Sequence, residues 1–183
     1  MEQLALSGGV AAGLACLELV GAAWVLSLAS AGLPLALGLW LGLMGLVAAR
    51  HTRHHRAWAD ARLAMTGALV ERMAGHRTRL AQEDPERWHD TEDQELGAYL
   101  RASAALDATA AHLRVSLPRG WMLVGLSGVG LLLTGGASAG QVALALGGVL
   151  LAGRSLHSLS LGLTHIAGAV VAAAQVRPLY EAA

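Results

Sequence analysis

The sequence contains no lysine and no phenylalanine, and Cys16 is its only cysteine. Without lysine there is no GxxxxGK[ST] loop, so this chain cannot by itself cradle and hydrolyse a nucleotide. A single cysteine excludes an internal disulfide and a thiolate metal site. GxSxG and HExxH patterns are also absent. The sequence therefore offers no catalytic constellation, and we expect no cofactor and no metal on this chain.

Charge is also missing from two long stretches. Glu18 is the only charged residue in residues 4–49, and Arg154 is the only one in residues 120–176. The intervening residues 50–119 hold eleven of the 13 arginines and ten of the 13 acidic residues. Hydrophobic residues make up 55% of the chain, and the mean hydropathy is +0.50. This segregation predicts a multi-pass membrane protein with one large water-exposed loop.

Four apolar segments predict an all-α fold with four transmembrane helices arranged as two hairpins. The first segment exceeds the roughly 20 residues that cross the hydrocarbon core. Glycine and proline mark short turns after the first and third segments. Arginines border the central loop, so the positive-inside rule predicts a cytoplasmic loop and cytoplasmic termini in the cytoplasmic membrane. The predicted spans are residues 4–29, 35–49, 120–134 and 141–174, and the loop is residues 50–118.

The loop is predicted to form a long helical extension of the membrane helices. Residues 50–63 lack glycine and proline, so the second span can continue into the cytoplasm for roughly 20 Å. Asp84 and Pro85 are a good start for a returning helix. We expect that the helix of the third span begins well before Pro118, and that Trp121 anchors it at the membrane interface.

Two charged residues, Glu18 and Arg154, lie inside the predicted spans. An ionised Glu18 in mid-membrane is unfavourable by several kcal/mol unless it has a partner, and Arg154 is the obvious candidate. Arg154, Ser158 and His165 fall on one face of the fourth helix, and this stripe must face protein or water. It either holds helices together or lines a substrate path.

The loop and the last two spans resemble the transmembrane domain of ABC exporters. Glu71, Met73 and Gly75, followed by His76 and Leu80, are similar to the E-x-L-x-G signature after the second cytoplasmic coupling helix of that family. Pro118, the run Ser138 to Gly140, and the run Arg154 to Leu159 look like the fifth and sixth helices of the same domain. The order and spacing of these motifs agree over nearly the whole chain.

The resemblance implies that the four spans correspond to the third to sixth helices of a six-helix domain. The coupling helix would lie at about residues 62–69 and dock in an ATP-binding cassette domain, which would carry ATP and Mg²⁺. The implied partners are that domain and further transmembrane helices or a second transmembrane domain, in a homo- or heterodimer. The expected coupling residues are Arg62, Leu63, Ala64, Met65, Thr66, Gly67, Leu69 and Glu71.

The chain departs from the family pattern at both ends. It has no counterpart of the first two helices, and no ATP-binding domain follows Pro178. We therefore expect a fragment, a split subunit or a decayed subunit of an exporter. It should not transport alone, it should lie in the lipid bilayer, and it should bind no nucleic acid. The alternative is a non-transporting four-span scaffold or sensor whose cytoplasmic helical hairpin binds a regulator.

Overall fold

The computed structural model describes residues 2–75 and 90–181, and within these ranges the chain is almost entirely helical and has no strand. The predicted helix start at Asp84 and Pro85 lies outside the described residues, as do His76 and Leu80. The helices are α1 (Glu2–Ala29), α2 (Gly32–Ala74), α3 (Asp90–Ala111), α4 (Leu117–Thr134) and α5 (Ala139–Glu181), with a π-helical segment, His112–Ser116, between α3 and α4.

Within the described ranges, four continuous helical stretches are long and apolar enough to cross a membrane, which supports the multi-pass interpretation. The two 43-residue helices α2 and α5 are each about 64 Å long at 1.5 Å per residue. A hydrocarbon core of about 30 Å therefore accommodates only about half of either helix. Large apolar side chains remain highly exposed on the outside of the membrane-embedded part, among them Trp24, Leu39 and Leu123.

Helices α1 and α5 pack antiparallel along their length, and we call this contact the α1–α5 seam. A Cβ atom at Gly148 would lie 2.7 Å from Leu26 Cδ2, and one at Gly162 would lie 2.8 Å from Ala12 Cβ. Small residues permit such close approach of membrane helices. The α1 side of the seam consists of residues spaced alternately four and three apart: Gly8, Ala12, Ala15, Leu19, Ala22, Leu26 and Ala29.

The first predicted hairpin has the expected short turn, but its two helices are not each other's main neighbours. Only residues 30 and 31 separate α1 from α2, and α2 contacts α4 as well as α1. Leu33 reaches the Gly128 position, and the Trp40 ring covers Gly120. The small-residue face of α1 is occupied by α5, so α1 has α5 rather than α2 as its main neighbour.

The extension of α2 is longer than predicted, because the helix runs unbroken to Ala74 rather than to about residue 63. The returning helix does begin well before Pro118: α3, the π-helical segment and α4 follow one another without a gap. Proline lacks an N–H group and clashes with the preceding turn. The adjacent π-helical segment accommodates it, and the Leu117 N–H donates to His112 O.

The α1–α5 seam predicts a position-specific effect of adding one methyl group. Gly162→Ala places Cβ against Ala12 and 3.0 Å from Gly8 O, so one helix must move. We expect a loss of about 1–3 kcal/mol in unfolding free energy, typical of overpacking. Thermal unfolding in detergent measures this loss. The control is Gly147→Ala, where nothing lies within 4 Å; an equal effect of both substitutions would contradict the seam.

Candidate functional site

Glu18 is held by a serine, not by the predicted arginine. Ser155 Oγ donates to Glu18 Oε2 at 2.8 Å, and it also lies 2.9 Å from Leu151 O. Ser155 is fully buried in the α1–α5 seam, and Glu18 is half-buried at its edge. No ion pair joins Glu18 to Arg154 in the described part of the chain. The predicted intramolecular pair is therefore corrected: a hydroxyl inside the seam binds one oxygen of the carboxylate.

Of the remaining residues of the predicted polar stripe, Arg154 lies on the outer side of α5, and His165 lies beside Gly8 of α1. Arg154 and His165 are exposed, and Ser158 is half-buried. Because Arg154 and His165 are exposed, the described helices do not fully enclose this stripe. Its side chains face whatever surrounds or joins the four helices.

Beyond the second predicted span, the rest of α2, from residue 50 to residue 74, runs together with α3, and we call this pair the arm. The rings of His51, His55 and Trp58 form a column of edge-on contacts along α2, with centroids 6.2 and 5.7 Å apart. Tyr99 of α3 meets Trp58 at 6.4 Å. Such ring contacts stabilise by geometry as well as by buried area.

An ion pair and a cation–π contact lie further along this arm. Arg72 Nη2 lies 2.6 Å from Glu95 Oε1, joining α2 to α3 near the end of the described part. The guanidinium of Arg62 stands 5.5 Å from the centre of the Trp58 ring. The two helices therefore touch by apolar, aromatic and ionic contacts along the arm.

His51 stands at the base of the arm, two residues beyond the predicted end of the second span. Its Nδ1 atom lies 3.2 Å from Thr109 Oγ1, and both side chains are buried. Burial of the ring, followed by the charges of His55 and Arg114, lowers the pKa of His51. A neutral imidazole is thus favoured, and its hydrogen bond ties α2 to α3 where the arm begins.

The residues expected to form a separate coupling helix are part of the unbroken helix α2. Thr66 Oγ1 donates to Arg62 O at 2.8 Å, as in a regular helix. No proline or glycine pair interrupts this stretch, and Gly67 is accommodated within it. Met65 is half-buried; the other expected coupling residues are exposed, namely Arg62, Leu63, Ala64, Thr66, Gly67, Leu69 and Glu71.

An open cleft of about 700 Å³ lies between α2 and the C-terminal half of α5. Its polar side chains include Arg62, His165 and Gln175, and its floor is made of small and aliphatic residues. His55 also borders the cleft, and its buried Nδ1 atom has no hydrogen-bond partner in the described part of the chain. The cleft connects the predicted stripe residue His165 with the predicted coupling residue Arg62.

Trp121 lies inside the helix bundle rather than at its surface. Its side chain is fully buried, and the indole Nε1 donates to Val149 O at 3.1 Å. The predicted interfacial anchor is therefore corrected. Gly153 on α5 leaves room for the ring and for its neighbour Met122, and Gly125 on α4 leaves room for Val149.

The described residues include no group of three or more His, Cys, Asp or Glu side chains placed to hold a metal ion. The sequence reasoning missed Ser155, although Ser155 stands seven residues from both Gly148 and Gly162. Small residues at seven-residue intervals on one helix could have indicated that Ser155 lies on a face packed against another helix. The cleft was missed as well, because its two walls lie far apart in the sequence.

A scan of known protein families and a search of curated proteins find no match to this chain.

The Glu18–Ser155 contact predicts that Ser155 contributes to stability. Ser155→Ala removes the donor to a half-buried carboxylate, and we expect a loss of about 1–3 kcal/mol in unfolding free energy. The measurement is thermal unfolding in detergent micelles. Ser127→Ala is the control, because Ser127 is exposed and donates only to Leu123 O; a Ser155 variant as stable as this control would refute the role.

Proposed function

We propose that this chain is a membrane-spanning subunit or fragment of an ATP-driven ABC exporter, coupled through its arm to an ATP-binding cassette domain. The observation that carries the proposal is the continuity of α2, which runs from the membrane-embedded half into the charged half without a break. The motifs at Glu71, Pro118 and Arg154 resemble those of ABC exporters, in which such an arm docks in the ATP-binding cassette domain.

A stiff arm is what such coupling requires. A rigid helix continuous with a membrane span transmits displacement at its far end to the bilayer, whereas a flexible loop absorbs it. Helix α3 braces α2 at the base through His51 and Thr109, at mid-length through Trp58 and Tyr99, and toward the end through Arg72 and Glu95. The arm can thus act as a lever.

The outer surface of the arm suits a protein partner. Leu63, Leu69, Val70 and Met73 expose between 54% and 72% of their surface on a segment whose other residues are largely charged or small. Exposed apolar side chains clustered outside a membrane are typical of a docking surface. In the proposed complex they meet the cassette domain, which supplies ATP and Mg²⁺.

The membrane-embedded part would form one portion of a translocation path. Of the stripe residues Arg154, Ser158 and His165, His165 also lines the cleft that contains Arg62. Ionisable groups inside a membrane commonly mark such paths. Further helices or a second transmembrane domain would close the path, with the arm and both termini in the cytoplasm.

The first experiment identifies what binds the arm. A photo-crosslinking residue is placed at Leu69, and the products from native membranes are identified by mass spectrometry. The proposal expects a crosslink to a protein with an ATP-binding cassette. The matched control is Leu39, exposed on the same helix but within the second predicted span. Capture at Leu69 of a regulator without an ATPase would instead favour the scaffold or sensor alternative.

The lever predicts that a break in α2 uncouples the partner ATPase from transport. Thr66→Pro removes a helical hydrogen bond and forces a kink in the helix interior. In the assembled complex we expect ATP hydrolysis to continue while substrate transport falls at least about tenfold, equivalent to about 1.4 kcal/mol. Both activities are measured in proteoliposomes.

Thr66→Ala is the control, because it removes the side chain and keeps the helix. Charge reversal at Arg62 is expected to act in the same direction as the proline, because it removes the cation over Trp58. Wild-type transport in the proline variant would refute the lever.

A further inference from the structure

Arg154 presents an unpaired charge on the outside of the α1–α5 pair. The side chain is exposed and forms no hydrogen bond or ion pair in the described part of the chain. It lies 15 residues from the start of α5, or about 22 Å along the helix. That depth falls within a hydrocarbon core of about 30 Å. Lipid tails cannot satisfy a guanidinium, so a partner that offers an acceptor would stabilise this face.

The same chain carries such an acceptor at the same depth. Glu18 bonds to Ser155, the residue next to Arg154, so the carboxylate and the guanidinium belong to one level of the membrane. Around α5, the partly exposed Leu151 and Ser158 lie between Ser155 and Arg154. Glu18 and Arg154 therefore border the same exposed strip, and only one carboxylate oxygen of Glu18 is engaged by Ser155.

We propose that two copies of this chain associate through this strip, with Glu18 of each copy paired to Arg154 of the other. Two copies with the same membrane orientation are related by a two-fold axis along the membrane normal. Such an axis preserves depth, so groups can pair reciprocally only when they are level. Glu18 and Arg154 meet that condition, and their charges are complementary.

This inference deepens the proposed function, because it names the partner of the open stripe as a second transmembrane domain of the same sequence. It needs neither ATP nor a substrate. Association is measured by itself, so its failure and a failure of the arm to bind an ATP-binding cassette are separate results.

The test is charge exchange between two differently tagged copies of the full chain, co-expressed in the membrane and purified through one tag. Arg154→Glu alone and Glu18→Arg alone each place like charges across the interface. We expect either variant, paired with itself, to reduce co-purification at least about tenfold, equivalent to about 1.4 kcal/mol. When an Arg154→Glu copy meets a Glu18→Arg copy, both contacts regain opposite charges.

Co-purification of that mixed pair is expected to return to within about twofold of wild type, since its binding free energy should change by less than about 0.5 kcal/mol. Recovery also shows that each variant folds. An intramolecular pair cannot give this result, because neither variant chain contains both an acidic and a basic partner at these positions. No recovery in the mixed pair, or no co-purification of two wild-type copies, would overturn the proposal.

Disulfide crosslinking supplies an independent test of the proposed interface. In a Cys16→Ser background, a single cysteine at Leu151 lies close to the proposed two-fold axis and should crosslink to itself. Leu123 is the control position: it is 72% exposed on α4, and it is at similar depth because the nearby Gly125 faces Val149. Equal crosslinking at both positions, or a different protein captured at Leu151 in place of a second copy, would also overturn the proposal.

Discussion

The close approach of α1 and α5 is the constraint on which the membrane-embedded half depends. Apolar side chains gain little by leaving lipid for a protein interior, so helices in a membrane associate through tight packing and hydrogen bonds. The small residues of the α1–α5 seam provide the first, and the contact of Ser155 with Glu18 provides the second. The seam sets the register of the first helix against the last. It thereby fixes the depth of Glu18 and leaves Arg154 facing outward.

The charge map of the sequence was enough to predict the membrane class, the four apolar helices and the long extension of the second one. These features follow from composition over tens of residues. The helical extension was underestimated because glycine in a helix interior lowers helix propensity by only about 1 kcal/mol, and Gly67 therefore did not end α2. The packing of neighbouring helices offsets such a local preference.

Pairwise contacts were less predictable than helices. By charge, Arg154 was the natural partner for Glu18. Two neighbouring residues of a helix lie at nearly the same depth, however, and still point in different directions around the helix axis. Ser155 points into the seam, and Arg154, one residue earlier, points away from it. Trp121 was assigned to the interface by its neighbour Arg119, yet its direction on α4 places it against Val149. Both outcomes depend on which faces of the helices meet. Predicting those faces requires knowledge of the register between α1, α4 and α5.

The indole groups connect the arm to the seam. Trp40 of α2 donates from Nε1 to Leu117 O at 3.0 Å, beside the π-helical segment where α3 gives way to α4. Trp121 then joins α4 to α5 through Val149 O. A displacement of the arm would thus reach α4 at its least regular point and pass to α5 through a buried ring. Under the exporter proposal, this is the mechanical route from the cassette domain to the Arg154 face. Because interhelical contacts of this kind are packed and directional, they favour discrete arrangements over gradual bending.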